Sequence, residues 1–339
     1  MNSLFPQLEP GERLVGIAKL AAEGEALDDG HNVEYLTLNN RSVLCRCNVP
    51  RMPFSWTINP YRGCEFACKY CYARYTHEFM ELRDSLDFER KIYVKQHTAW
   101  TLRRELKKVK AGESIAIGTA TDPYQPAERR FGVTRALLEE FAQHRGLELG
   151  IVTKSNMILR DLELLQRVAE NNKLSIHMTV TTVKTELARI LEPRAPRPDL
   201  RLAAVQKLAE AGLRAGVNCA PVLPGITDSP RDLENVVKAA AAAGAKSVFA
   251  NSLFLKPCSA KVFMPFLEEN FPNLVPMYKQ RYANRAFLPM EYRRRISALM
   301  KKYCEKYGVG RREEPPQEKK IASLSATAPA SEQMGLFAS

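Results

Sequence analysis

The chain has 339 residues, with 50 Lys and Arg against 38 Asp and Glu, a net charge of +12 and an apolar fraction of 45%. That balance is globular, and the length suits one large or two modest domains. It contains no run of 18 or more apolar residues, which excludes a membrane-spanning helix, and its start carries Glu9 and Glu12 with no basic-then-apolar pattern, so no signal peptide is expected.

Residues 1–50 read as an N-terminal extension. The stretch 14–26 suits a short helix, Asp28-Asp29-Gly30 is a turn signal, and 35–38 suits a short strand. Cys45-Arg46-Cys47 places two thiols close together, a pattern that suits metal ligation or two ordinary cysteines. From residue 54 strands and helices alternate. Strands are expected over 54–59, 114–120, 147–153, 174–182, 214–222 and 246–254. Helices are expected over 97–109, 134–144, 160–170, 199–211 and 231–243, with Gly212 and Gly244 placed to end the last two.

Six strands alternating with helices imply parallel pairing through right-handed crossovers. The expected fold is α/β, a partial (β/α)6 barrel over 51–263, followed by a helical region over 264–308 that packs on the barrel and a disordered tail over 309–339. In the helical region Tyr278, Tyr282, Tyr303 and Tyr307 are interleaved with Arg281, Arg285, Arg293, Arg294 and Arg295. Such a mixture can stack bases and hold phosphates, or it can pack tyrosines on the barrel and turn the cations to water. Residues 1–50 hold four basic and seven acidic residues and 309–339 hold four of each, which leaves +15 on 51–308. A basic body attracts polyanions.

The most informative stretch follows the first barrel strand: Asn59-Pro60-Tyr61-Arg62-Gly63-Cys64-Glu65-Phe66-Ala67-Cys68-Lys69-Tyr70-Cys71. Eight cysteines in a chain with no secretion signal argue for reduced thiols and metal ligation, and for a reducing, cytoplasmic compartment. Three cysteines spaced C-x3-C-x2-C can hold an iron–sulfur cluster and leave one iron without a protein ligand. Zinc is the other reading, with a fourth ligand from His77, Cys45 or Cys47. Further unusual residues fall at successive strand ends: Thr121-Asp122-Pro123-Tyr124-Gln125-Pro126, Thr153-Lys154-Ser155 and Thr181-Thr182. In parallel α/β folds chemistry gathers at that edge.

Together with Glu128-Arg129, Arg160-Asp161 and Leu191-Glu192-Pro193-Arg194, these motifs resemble the radical S-adenosylmethionine (SAM) proteins related to spore photoproduct lyase, the DNA repair photolyase-like branch. The resemblance covers roughly 50–260. It implies a 4Fe–4S cluster on Cys64, Cys68 and Cys71, SAM on the remaining iron, and reductive cleavage of SAM to a radical that abstracts hydrogen from a substrate. It implies SAM contacts at Tyr70, Thr121, Asp122, Lys154 and Ser155, and an electron donor of flavodoxin or ferredoxin type. A nucleic acid base or lesion is the expected substrate; the alternative is a metal-stabilised nucleic-acid-binding module without radical chemistry. Two departures stand out. Phe66-Ala67 replaces the His-Gly of many relatives. No cysteine lies between Cys71 and Cys219, where the lyase carries a hydrogen donor, so the lyase's lesion reversal is not expected here; Cys219 and Cys258 are the cysteines placed to reach the cavity instead.

Overall fold

The computed structural model describes residues 14–30, 32–49 and 52–311. Twelve strands form two sheets. In chain order they are β1 Ala26–Gly30, β2 Val33–Leu38, β3 Cys45–Arg46, β4 Trp56–Ile58, β5 Tyr61–Arg62, β6 Lys91–Lys95, β7 Ser114–Ile117, β8 Glu148–Thr153, β9 Lys173–Thr179, β10 Ala215–Val222, β11 Ser247–Ser252 and β12 Gly310–Arg311. The large sheet runs β12-β11-β10-β9-β8-β7-β4-β3, parallel throughout except for β3 against β4.

The six expected strands are all present, as β4 and β7 through β11. Their order in space is their order in sequence. A doubly wound sheet reverses direction at a switch point and gains helices on both faces. Here no reversal occurs among these strands, so right-handed crossovers keep every helix on one face, the arrangement of a partial barrel. The residues on that face form the main core: Ile115, Ile117, Leu149, Ile151, Ile176, Met178 and Val217 from the strands meet Leu137, Leu165, Leu208 and Val237 from the helices.

The helix Pro230–Ala242 shows how locally these elements are written. Ser229 caps it by accepting the Asp232 amide at 3.1 Å, Pro230 fits its first turn, and Leu233, Val236, Val237 and Ala240 form its buried stripe. Gly244 follows it with φ +74°. Each buried Leu or Val on such a stripe contributes about 1.5–3 kcal/mol.

The N-terminal part differs from expectation in three ways. The helix is shorter, Gly16–Ala22, and Ala26–Gly30 is a strand. The turn signal at Asp28-Asp29-Gly30 lies inside that strand. The chain reverses just after it, with Gly30 paired to Val33 and Asn32 at φ 62°, a conformation asparagine tolerates well. A strand unforeseen in the sequence, β6, pairs parallel with β2 and antiparallel with β5 to form the second sheet, β1-β2-β6-β5. At the other end, residues 310–311 of the expected tail form β12, parallel to β11. Residues 312–339 lie outside the described residues.

Candidate functional site at the cysteine loop

The loop from Asn59 to Arg74 leaves the C-terminal end of β4, and nearly every motif residue near it holds it in place. Asn59 Oδ1 accepts the Ala120 amide at 2.7 Å, tying the loop's start to the end of β7. Gly63 has φ +86°, and a Cβ there would meet the Lys91 carbonyl at 2.7 Å, so no other residue fits. The Gly63 carbonyl accepts from Thr121 Oγ1 and from Gln125 Nε2, the latter at 3.2 Å. Gln125 also accepts the Glu65 amide at 3.0 Å. Glu65 in turn accepts Tyr35 Oη at 2.9 Å and the Ala127 amide at 2.7 Å. On the far side the buried Arg74 donates to the Cys68 carbonyl at 3.1 Å and pairs with Glu89. Ala67 takes a left-handed backbone, φ 54°. This is the position where many relatives carry glycine, and an alanine there is strained by about 1–2 kcal/mol.

The three thiols are free and lie in this loop. Burial pushes the Cys64 thiol well up, with Asp122, Cys68 and Cys71 adding to the effect. Burial pushes Cys68 up to about 12, against the pull of Lys154. The sulfurs are thus within electrostatic reach of one another. Among the described residues no three His, Cys, Asp or Glu side chains form a ready-made metal cage. The all-sulfur donor set nevertheless fits an iron–sulfur cluster, which supplies the positive metal that buried thiols need to lose their protons. A zinc site completed by His77 does not fit. The His77 ring bonds the Lys91 carbonyl at 3.1 Å, packs on Phe88 and Tyr93, and is pushed down to about 3 by burial.

Beside Cys68 lies a buried polar hub. Tyr70 Oη donates to Glu192 and contacts Thr181 Oγ1 at 3.0 Å, and Glu192 pairs with Arg201. The Lys154 ammonium sits 5.7 Å from the Tyr70 ring centre. Burial pulls Lys154 down, but Cys68 and Glu192 outweigh it and hold the ammonium charged. Glu192 is likewise held below the usual carboxylate range, its burial outweighed by Arg201 and Lys154. The hub therefore presents one secured cation next to the thiols.

The five residues expected to contact SAM divide into two groups. Tyr70 and Lys154 stand with the cysteines. Thr121, Asp122 and Ser155 have structural partners: Thr121 holds Gly63, and Asp122 accepts Thr153 Oγ1 at 2.6 Å, the Lys154 amide at 2.7 Å and the Tyr124 amide at 2.9 Å. Ser155 Oγ caps the following turn at Met157, 3.3 Å away. Glu192, Arg201 and Thr181 were not expected as site residues. Arg201 was detectable, because it sits at helical spacing with Ala204, Val205 and Leu208 on the buried stripe of the helix Pro198–Glu210.

Residues 58–240, more than half the chain, match the family described as the radical SAM superfamily. The chain is a radical SAM enzyme. Membership implies SAM and an iron–sulfur cluster, and it sets aside the non-enzymatic module. An uncharacterized protein of Mycobacterium tuberculosis is 36% identical over 297 residues, covering 84% of this chain and 86% of the relative. An uncharacterized protein of Methanocaldococcus jannaschii is 26% identical, covering 76% and 91%. Among solved structures, spore photoproduct lyase complexed with dinucleoside spore photoproduct has a TM-score of 0.62 at 17% identity, covering 82% of this chain and 80% of that one. SuiB of Streptococcus suis bound to S-adenosylmethionine has a TM-score of 0.51 at 13% identity, covering 76% and 49%. Both share the radical SAM fold.

The remaining cysteines and the C-terminal region also find their places. Cys219 points into the main core under the helices and does not reach the loop, whereas Cys258 packs in a small cluster with Ala120 against Cys64 and Cys71. The C-terminal tyrosines serve packing. Tyr278 Oη donates to the Pro224 carbonyl at 2.8 Å, Tyr282 to Leu253 at 3.0 Å, and Tyr307 to Glu234 at 2.9 Å. A row of rings does remain at the mouth. Tyr72 and Phe287 are each 39% exposed, and Phe254 lies between them, stacked on Phe287 at 4.4 Å. No helix among the described residues is long and apolar enough to cross a membrane.

Proposed function

We propose that Cys64, Cys68 and Cys71 hold a 4Fe–4S cluster through three of its irons, with SAM completing the fourth. When bound, cluster and SAM supply an electron and a 5′-deoxyadenosyl radical that takes a hydrogen atom from the substrate. The chain's own residues bind and orient. Lys154 pairs with the SAM carboxylate, and Glu192 and Arg201 keep that lysine and the Tyr70 ring in place. Thr121 and Asp122 lock the ends of β7 and β8 to the cysteine loop, so the thiols and Lys154 share one rigid frame. Ser155 fixes the turn that follows Lys154. The observation that carries this reading is the group of three free thiols in a braced loop beside a secured buried cation.

The substrate we infer is a nucleic acid. Residues 51–308 carry +15, and the row Tyr72, Phe254 and Phe287 begins one residue beyond Cys71, where an unstacked base has rings to lie on. A flavodoxin- or ferredoxin-type electron donor and a cytoplasmic setting complete the reading.

Anaerobic reconstitution with iron and sulfide, followed by dithionite and SAM, is expected to yield 5′-deoxyadenosine. Cys64→Ala, Cys68→Ala and Cys71→Ala are each expected to abolish it. A fully loaded protein that gives neither this product nor a SAM-dependent change in its EPR signal would falsify the radical reading. For the substrate, gel retardation of single-stranded oligonucleotides should weaken steeply with salt; no retardation at low salt removes the nucleic-acid assignment.

A further inference from the structure

Behind the cysteine loop, on the side of the second sheet, lies a small cavity lined by Cys45 of β3, Arg62 of β5, Lys95 of β6, Asn59, Thr76 and Ala120. Two of these residues are cations, and both are buried: Lys95 is 4% exposed and Arg62 7%. No carboxylate lines the cavity. Among the described residues the Lys95 ammonium has no hydrogen-bond or ion-pair partner. The nearest acid, Glu105, is already committed. It accepts the Val43 amide at 2.8 Å, the Leu44 amide at 2.9 Å and Ser42 Oγ at 2.6 Å. The Asn59 oxygen is likewise taken by the Ala120 amide.

Two buried like charges around one space repel each other and have both lost water. Proteins meet that cost with a counter-charge. We infer that this cavity is an anion site, and that its ligand is a single small monovalent anion of about chloride's size. The space is on the scale of one water molecule, so a carboxylate or phosphate does not fit without parting β3 from β6. An ion held here joins Lys95 of β6 to Arg62, two residues before Cys64. It ties the second sheet to the entrance of the cysteine loop. Its occupancy sets how firmly that loop is held from behind, independently of what the cysteines bind.

The test uses the full chain. Crystals grown or soaked in sodium bromide are expected to show an anomalous peak between the Lys95 ammonium and the Arg62 guanidinium. In solution, replacing gluconate, which is too large to enter, by bromide or chloride at constant ionic strength should raise the melting temperature of the wild type. Lys95→Met is expected to lose both the peak and the halide-specific rise. If Lys95→Met does not fold, Lys95→Gln takes its place in the melting comparison, and the wild-type crystal decides alone. A bromide data set with only water in the cavity, or with a Cys45 thiolate bonded directly to Lys95, overturns the proposal, as does a melting shift equal in halide and gluconate.

Discussion

Two buried arginine–glutamate pairs flank the cysteine loop, and they differ in what they touch. Arg74–Glu89 faces the second sheet; its guanidinium also holds the Ser85 carbonyl at 2.7 Å and the Cys68 carbonyl. Arg201–Glu192 faces the barrel and touches Tyr70, Thr181 and, electrostatically, Lys154. The same chemistry thus does two jobs. One pair fixes the path of the backbone around the thiols. The other sets the charge of the group beside them. A buried ion pair adds little net stability over a well-packed apolar pair, so each is better understood through what it positions.

Substitutions can break this contrast. Arg74→Met leaves Glu89 buried without its partner and is expected to cost about 3–5 kcal/mol, read from the denaturant midpoint. The fraction that stays folded should bind SAM with unchanged affinity. Glu192→Gln should cost a similar amount and, unlike Arg74→Met, weaken SAM binding at least about tenfold, because Lys154 loses the carboxylate that holds it charged. Equal SAM affinity in the two variants would erase the distinction.

Lys154→Met sharpens the same point from the cation's side. Loss of one charged hydrogen bond to SAM should raise the dissociation constant by about 10- to 100-fold, with little change in melting temperature. Calorimetric titration of the reconstituted protein separates the two effects. A large loss of stability with intact SAM binding would place Lys154 among the braces.

A pH series reaches the back of the loop. Burial pulls Lys95 down to about 8, Arg62 acts in the same direction, and Cys45 and Glu105 oppose them. Between that value and the ordinary lysine value of 10.5 the unfolded chain binds the extra proton, so stability should rise with pH over this window. In gluconate the rise should be present in the wild type and absent from Lys95→Met; halide, by holding Lys95 charged, should shrink it. The smallest effect is expected at Ala67. Ala67→Gly relieves the left-handed strain and should stabilise by at most about 1 kcal/mol, part of the gain being lost with the buried methyl.

Much of the fold was legible because its signals are local. The barrel strands are short apolar runs between helices of clear period, and the stop at Gly244 is written beside the helix it ends. Strand β6 was not legible. Lys-Ile-Tyr-Val-Lys has charged ends, and its main partner, β2, lies more than fifty residues away. The site shows the same division. The thiol spacing and Lys154 could be read directly, since their chemistry is rare at that spacing. The roles of Thr121, Asp122 and Gln125 could not, because a motif marks a residue as required without saying what it touches. Gln125 serves the loop through partners some sixty positions earlier. Arg201 carried a signal of its own, a guanidinium on an apolar helix stripe, which is a place for a buried counter-ion.

The double grip of Gln125 on Gly63 and Glu65 has a practical consequence. An iron assay on Gln125→Leu would find the metal lost from a protein whose three sulfurs are all present. Metal content in this enzyme therefore reports on the segment that follows β7 as much as on the ligands themselves, and a colourless preparation does not by itself incriminate a cysteine.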